Sequence, residues 1–289
     1  MVVCIEALTA RVTGRVLERL TLRSPFVLRS VAPPIDSIVG QTVRGIRRIG
    51  KRIVLVFDAE RFLVVHLMIA GRLRWREAGQ PLGLGPKIVL ASLTFADGTL
   101  WMTEASSQKR ASITLVSGES ALAALDPGGV EPLEADLDRF RAALVRERHT
   151  LKRTLTDPHL FSGIGNAYSD EILHAARLSP LKLSRSLSEK EVVRLYDATR
   201  ATLRVWIDQL RRAADGAFPE KVTAFRSEMA VHGRFTQPCP VCGSPVQRIV
   251  YASNECNYCA TCQTNGRRLA DRALSRLLKH DWPRAIDEI

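Results

Sequence analysis

Two CxxC pairs near the C-terminus constrain this chain more than any other feature. Cys239-Pro-Val-Cys242 is followed by Cys259-Ala-Thr-Cys262, and thiolates spaced in this way close a tetrahedral zinc site with no vacancy for chemistry. Two neighbouring thiols chelate from one tight turn, and the spacer from Gly243 to Tyr258 is long enough to bring the second pair back across a hairpin. Redox thiols or disulfides are the rival reading. The absence of a signal-peptide pattern points to a reducing compartment and so to zinc. Cys256-Asn-Tyr-Cys259 is also a CxxC, so the residues alone permit two second knuckles, of which one binds at a time. Cys4 reads as a small buried apolar residue.

The chain has 289 residues, 46% of them hydrophobic, enough for two domain cores and a small metal-stapled module. Its formal charge of +12 comes from Arg and Lys spread through all regions, which implies a polyanionic partner, with nucleic acid leading. An acidic membrane surface would attract the same charge, but no apolar run approaches the ~20 residues of a spanning helix. A soluble, cytoplasmic monomer is expected. No repeat or low-complexity segment suggests an array or a disordered tail.

Ile5, Leu8 and Val12 lie at helical spacing, so a short amphipathic helix opens the chain. The period then changes. Residues 53–57, 62–67, 88–95, 99–103 and 112–116 are short β-type runs, separated by turn signals such as Asp58-Ala59-Glu60 and Asp97-Gly98. They predict antiparallel hairpins in a sandwich or barrel spanning 1–125. Residues 135–148, 151–156, 166–177 and 188–212 have helical period, with Ser188 and Glu191 forming a capping-box pattern, and predict a helical domain over 126–216. A polar connection over 217–234 leads to a metal module over 235–289 that ends in an amphipathic helix from about Arg268 to His280, with Arg268, Arg272, Arg276 and Lys279 on its outer stripe.

Between two predicted helices lies Phe161-Ser162-Gly163-Ile164-Gly165-Asn166-Ala167-Tyr168. Glycines there let backbone amides approach a phosphate at a helix N-terminus. Asp157-Pro158 ends one helix, Asn166 opens the next, and Ser179-Pro180 ends the unit. This arrangement resembles the helix–two-turn–helix of the formamidopyrimidine-DNA glycosylase and endonuclease VIII family. The resemblance extends over nearly the whole chain and includes Val231-His232-Gly233-Arg234 before the first knuckle. The family's zinc hairpin closes with Tyr-Cys-x-x-Cys-Gln, which Tyr258-Cys259-Ala-Thr-Cys262-Gln263 matches, so the resemblance selects Cys239, Cys242, Cys259 and Cys262 as ligands and leaves Cys256 out.

The implied fold is an α+β multidomain chain: an N-terminal antiparallel β-sandwich with a flanking helix, a helix–two-turn–helix domain and a C-terminal β-hairpin zinc finger. The implied function is DNA repair by a damaged-base glycosylase and abasic-site lyase acting on double-stranded DNA. Such an enzyme extrudes the damaged nucleotide, at a cost on the order of a few kcal/mol, and grips a bent backbone through phosphate contacts. Lys51 matches the family lysine that contacts the lesion-flanking phosphate and assists elimination. Asn166 matches an asparagine that binds phosphate, and Lys152 a basic phosphate contact. Glu171 stands where the family carries a carboxylate near the active-site face. Lys87 reads as a phosphate contact or as a solvated strand end.

The sequence also departs from the family. It begins Met1-Val2-Val3-Cys4-Ile5-Glu6, without the N-terminal Pro-Glu signature that supplies the nucleophile and its neighbouring acid; a start site assigned too far downstream is expected to account for this. Lys109-Arg110-Ala111 replaces an arginine followed by an aromatic wedge, while Ile69 stands near the family's methionine filler and is apolar enough to enter a base stack. Asn254 replaces an arginine that grips phosphate. Thr264 replaces a basic residue tied to the second elimination. The rival function is a non-catalytic binder of damaged or abasic DNA. A zinc-ribbon transcription factor leaves the GxGN unit and the β domain unexplained.

Overall fold

Strand periodicity in the first third of the chain produces two layers. In the computed structural model, which describes residues 1–220, 226–251, 254–270 and 285–286, helix α1 (Val2–Val12) is followed by β1 (Arg19–Leu22), β2 (Gly45–Ile49), β3 (Arg52–Phe57), β4 (Arg61–His66), β5 (Gly71–Glu77), β6 (Val89–Phe95), β7 (Gly98–Glu104), β8 (Ser112–Ser117) and a short α2 (Glu119–Ala123). The strands form two four-stranded antiparallel sheets, ordered β1-β6-β7-β5 and β2-β3-β4-β8. Alternation along β3 and β4 explains their nearly continuous burial. Ile53, Leu55, Phe57, Leu63 and Val65 enter the main core with Leu8 and Val12 of α1. Val54, Phe62 and Val64 point the other way into a second cluster with Leu122 of α2.

Three strands escape the sequence reading: β1, β2 and β5. The last is Gly71-Arg-Leu-Arg-Trp-Arg-Glu, whose alternation places Leu73 and Trp75 in the core and arginines between them. Glu220 pairs with Arg74 at 2.7 Å and also with Arg76, which lets these arginines sit half-buried. Gly71 is fixed by a close approach: a Cβ there would lie 2.3 Å from the Leu67 carbonyl oxygen, the acceptor of its own N–H at 2.9 Å.

The chain separates into two compact units, Met1–Pro127 with Ile207–Val222, and Gly128–Trp206 with Thr223–Ile289. The second contains α3 (Leu137–Arg146), α4 (Leu151–Thr156), α5 (Asn166–Ala175) and the first part of α6 (Glu189–Ala214), then the hairpin β9 (Gln247–Tyr251) and β10 (Asn254–Tyr258), and α7 (Ala260–Thr264). Its helical core gathers Phe140, Leu144, Leu155, Phe161, Ile172 and Leu195. The capping box forms as expected, Ser188 N–H donating to Glu191 at 2.9 Å. Residues 271–284, on which most of the expected C-terminal helix falls, lie outside the described residues. Among the described residues no helix is long and apolar enough to cross a membrane.

Candidate nucleic-acid interface and metal centre

The metal centre is built from a tight turn and a hairpin. Gly243, with φ +76°, donates its N–H to the Cys239 carbonyl at 2.9 Å, and Cys239 N–H bonds Ser244 at 2.9 Å. Pairing of β9 with β10 then returns the chain so that Cys259 and Cys262 flank the start of α7. The sulfurs of Cys239, Cys242, Cys259 and Cys262 all lie within 4.8 Å of one another. Cys242 and Cys259 are 3.4 Å apart, and Cys239 and Cys262 4.0 Å. A tetrahedron with metal–sulfur bonds near 2.3 Å has edges of about 3.8 Å, so these four thiols fit a metal ion. Burial works to raise the Cys242 pKa, but hydrogen bonds from Ser244 and the neighbouring thiols overcome it and leave it at about 6. Burial pushes Cys259 up to about 11. Cys256 stays out of the cluster: it sits inside β10 opposite Ile249, buried, with its thiol pKa raised well above the ordinary value by burial and by Asp170.

Helix α5 organises what surrounds this centre. Its N-cap is Gly165, and Gly163 takes φ +78° in the preceding turn, so the first backbone amides of a ten-residue helix stand open to an anion. Asn166 spends one Nδ2 hydrogen on the Glu255 carbonyl of β10 at 2.8 Å. Asp170, fully buried, receives Lys152 Nζ at 2.5 Å on one oxygen, and His232 Nδ1 at 2.8 Å and Asn257 N–H at 3.1 Å on the other. Lys152 further donates to the Asn166 carbonyl at 2.7 Å and to Ser169 Oγ at 2.8 Å. All three of its donors are engaged inside the protein in this structure, where Lys152 neutralises a buried carboxylate.

Glu171 is likewise engaged inside the protein. Its carboxylate accepts the backbone N–H groups of Ala230 at 2.7 Å, Val231 at 2.9 Å and His232 at 2.9 Å. A buried acid bonded in this way holds residues 230–232 of the 217–234 connection in place.

In the β unit, Lys51 occupies the turn between β2 and β3 after Gly50 at φ +57°. Loss of water around its ammonium lowers its pKa although part of the side chain stays accessible. Arg52 pairs in register with His66 at the end of β4, and burial, then Arg52 and Lys51, lower the His66 pKa. Lys51 and Arg52 thus place two cations beside His66 and favour its neutral form; His66 was missed because it reads as part of the apolar strand 62–67. Ile69 stands beyond it on a turn, 78% exposed, next to Met68 at φ +53°. Lys87 is exposed on a short 3₁₀ turn. Lys109 donates to the Glu104 carbonyl and Arg110 to Gln108 at 2.6 Å. The Glu104 carboxylate meanwhile caps the N–H groups of Arg110 and Ala111, so Lys109 braces this loop and the exposed Arg110 is its outward cation. Asn254 opens β10 opposite Tyr251; its side chain lies outside the described residues.

A basic β unit and a unit joining a helix–two-turn–helix to a four-cysteine hairpin fit a nucleic-acid-binding protein. Comparison with known proteins makes this specific. The formamidopyrimidine-DNA glycosylase N-terminal domain matches residues 2–107 and the H2TH domain of the same enzymes matches residues 129–213. The chain is 32% identical over 271 residues to the formamidopyrimidine-DNA glycosylase of Heliobacterium modesticaldum, covering 89% of this chain and 96% of that one. It is 39% identical over 151 residues to an uncharacterised glycosylase-like protein of Mycobacterium tuberculosis, covering 52% of this chain and 94% of that one. The Lactococcus lactis enzyme solved with FAPY-dG-containing DNA superposes with a TM-score of 0.79 at 25% identity, over 91% of this chain and 97% of that one. Its complex with abasic-site DNA gives 0.78 at 26% identity over the same shares. The chain belongs to the formamidopyrimidine-DNA glycosylase family.

Proposed function

We propose that this chain excises damaged bases from duplex DNA and cleaves the resulting abasic strand, with a structural zinc ion held by Cys239, Cys242, Cys259 and Cys262. The observation that carries the reading is the α5 hub, where an open helix N-terminus, a buried Asp170 and Glu171, and the four-thiol hairpin are assembled as one unit. Zinc supplies no chemistry here; bound, it fixes the hairpin whose β10 strand is tied to Asn166. Phosphate contacts are assigned to Lys51, His66, Lys87, Arg110, Asn166 and Asn254, and Ile69 is assigned to the space left by the extruded base.

Lys51 carries the lyase step. Its lowered pKa raises the neutral amine fraction near neutral pH. The amine adds to the C1′ aldehyde of the ring-opened abasic sugar and water leaves, forming an imine. The imine withdraws electrons so that a C2′ proton is lost and the 3′ phosphate departs with the bonding pair, and water then frees the amine. Borohydride reduction on abasic duplex tests this: a covalent adduct that disappears in Lys51→Ala is expected. Tight binding without an adduct would make the chain a binder of abasic DNA instead.

A further inference from the structure

Each ligand sulfur of a four-thiolate zinc site carries excess negative charge, which N–H donors disperse. In this hairpin Cys259 receives the Cys262 N–H at 3.5 Å, a donor from within its own knuckle. Cys239 differs: its sulfur lies 3.3 Å from Nε2 of His174, a residue on α5 that precedes the first knuckle by more than sixty positions in the chain. Both groups are buried, so a polar ring in this place needs a partner, and a thiolate gives it one that accepts.

We propose that His174 is a positioning residue for the metal centre, donating its Nε2–H to the Cys239 thiolate and thereby coupling metal retention to the seating of helix α5. The proposal rests on the zinc reading of the four cysteines. A second link runs parallel to it. Gln263, directly after Cys262, donates to the Leu178 carbonyl at 2.9 Å beyond the end of α5 and accepts from Cys259 N–H at 2.8 Å. Asn166 stands eight residues before His174 on the same helix, about 12 Å along its axis. The metal therefore anchors one end of the helix whose other end is open to phosphate, with His174 of that helix lying against a ligand sulfur.

The test uses the full chain. Total metal analysis of the wild-type protein comes first: one zinc per chain is expected, and its absence refutes the zinc reading itself. Zinc release to a chromophoric chelator is then timed for wild type, His174→Phe and His174→Gln. Phe should release zinc about 10- to 100-fold faster. Gln, whose side-chain N–H reaches a similar point, should stay within a few-fold of wild type. In the cobalt-substituted proteins the thiolate-to-metal charge-transfer band should move to lower energy in Phe and return in Gln, because loss of the hydrogen bond raises the energy of the sulfur electrons. A ring that merely filled space would be replaced by Phe without change in band or release rate, and that result in a zinc-loaded protein overturns the proposal alone. If Phe does not fold, His174→Asn, too short to reach the sulfur, takes its place against Gln with the same two outcomes.

Discussion

Replacing Glu171 with Gln separates a structural carboxylate from a catalytic one. The wild-type carboxylate accepts three backbone N–H groups at 2.7–2.9 Å in a buried site, and hydrogen bonds to a charged acceptor contribute roughly 1.5–3 kcal/mol each. Gln keeps the shape but offers one acceptor oxygen, and its amide hydrogens face N–H donors. At least one of the three bonds is lost, and the others weaken with the charge. A destabilisation of about 2–3 kcal/mol follows, rising to about 3–5 kcal/mol for Ala, where entering water satisfies part of what the carboxylate left. Denaturant unfolding measures the total, and hydrogen exchange locates it. The amides of residues 230–232 should lose about 30-fold or more of their protection, since each ~1.4 kcal/mol is tenfold. Unfolding within about 0.5 kcal/mol of wild type, unchanged exchange at 230–232 and abolished base excision would refute the structural assignment and restore Glu171 to the active site.

Lys152→Met should destabilise the fold by about 3–5 kcal/mol, because it leaves the Asp170 carboxylate buried and short of a charge partner. At temperatures where the variant is folded, the salt dependence of its DNA binding should match wild type. Lys51→Ala should do the reverse, leaving stability nearly unchanged and reducing the salt slope of binding by about one, as expected for one lost phosphate contact; an unchanged slope would remove Lys51 from the interface. For Glu191, burial works to raise the pKa, and hydrogen bonds from Lys182 and Ser188 override it to hold the carboxyl below its usual 4.5. A depressed carboxylate stabilises the fold above its unfolded pKa and loses that effect as pH falls through the folded one. Glu191→Gln should therefore cost about 1 kcal/mol at pH 7 and approach wild-type stability in acid, and a pH-independent difference would refute the charge argument.

Much of this fold is legible in the sequence because its signals are local. The capping box at Ser188 and Glu191 and the Asn166 helix start after two glycines depend on neighbours a few residues away. So does the strand period of residues 53–57 and 62–67. Strand β5 was not legible, because the carboxylate that pairs with its Arg74 and Arg76 is Glu220, far along the chain. The choice between Cys256 and Cys262 needed either a resemblance or coordinates; β10 settles it physically by placing Cys256 within the strand beside Asp170. Lys152 and Glu171 show the opposite limit. A motif can mark a residue as indispensable while saying nothing about whether its polar atoms face DNA or protein, and that depends on partners at residues 230–232 and 257.

The central claim is recognition of a base missing from, or pulled out of, the duplex, and equilibrium binding to an abasic-analogue duplex tests it most directly. With no base to unstack, binding should be tighter than to the same undamaged duplex by about tenfold or more at physiological salt, reflecting an extrusion cost of a few kcal/mol. Equal affinity for the two duplexes would contradict the account.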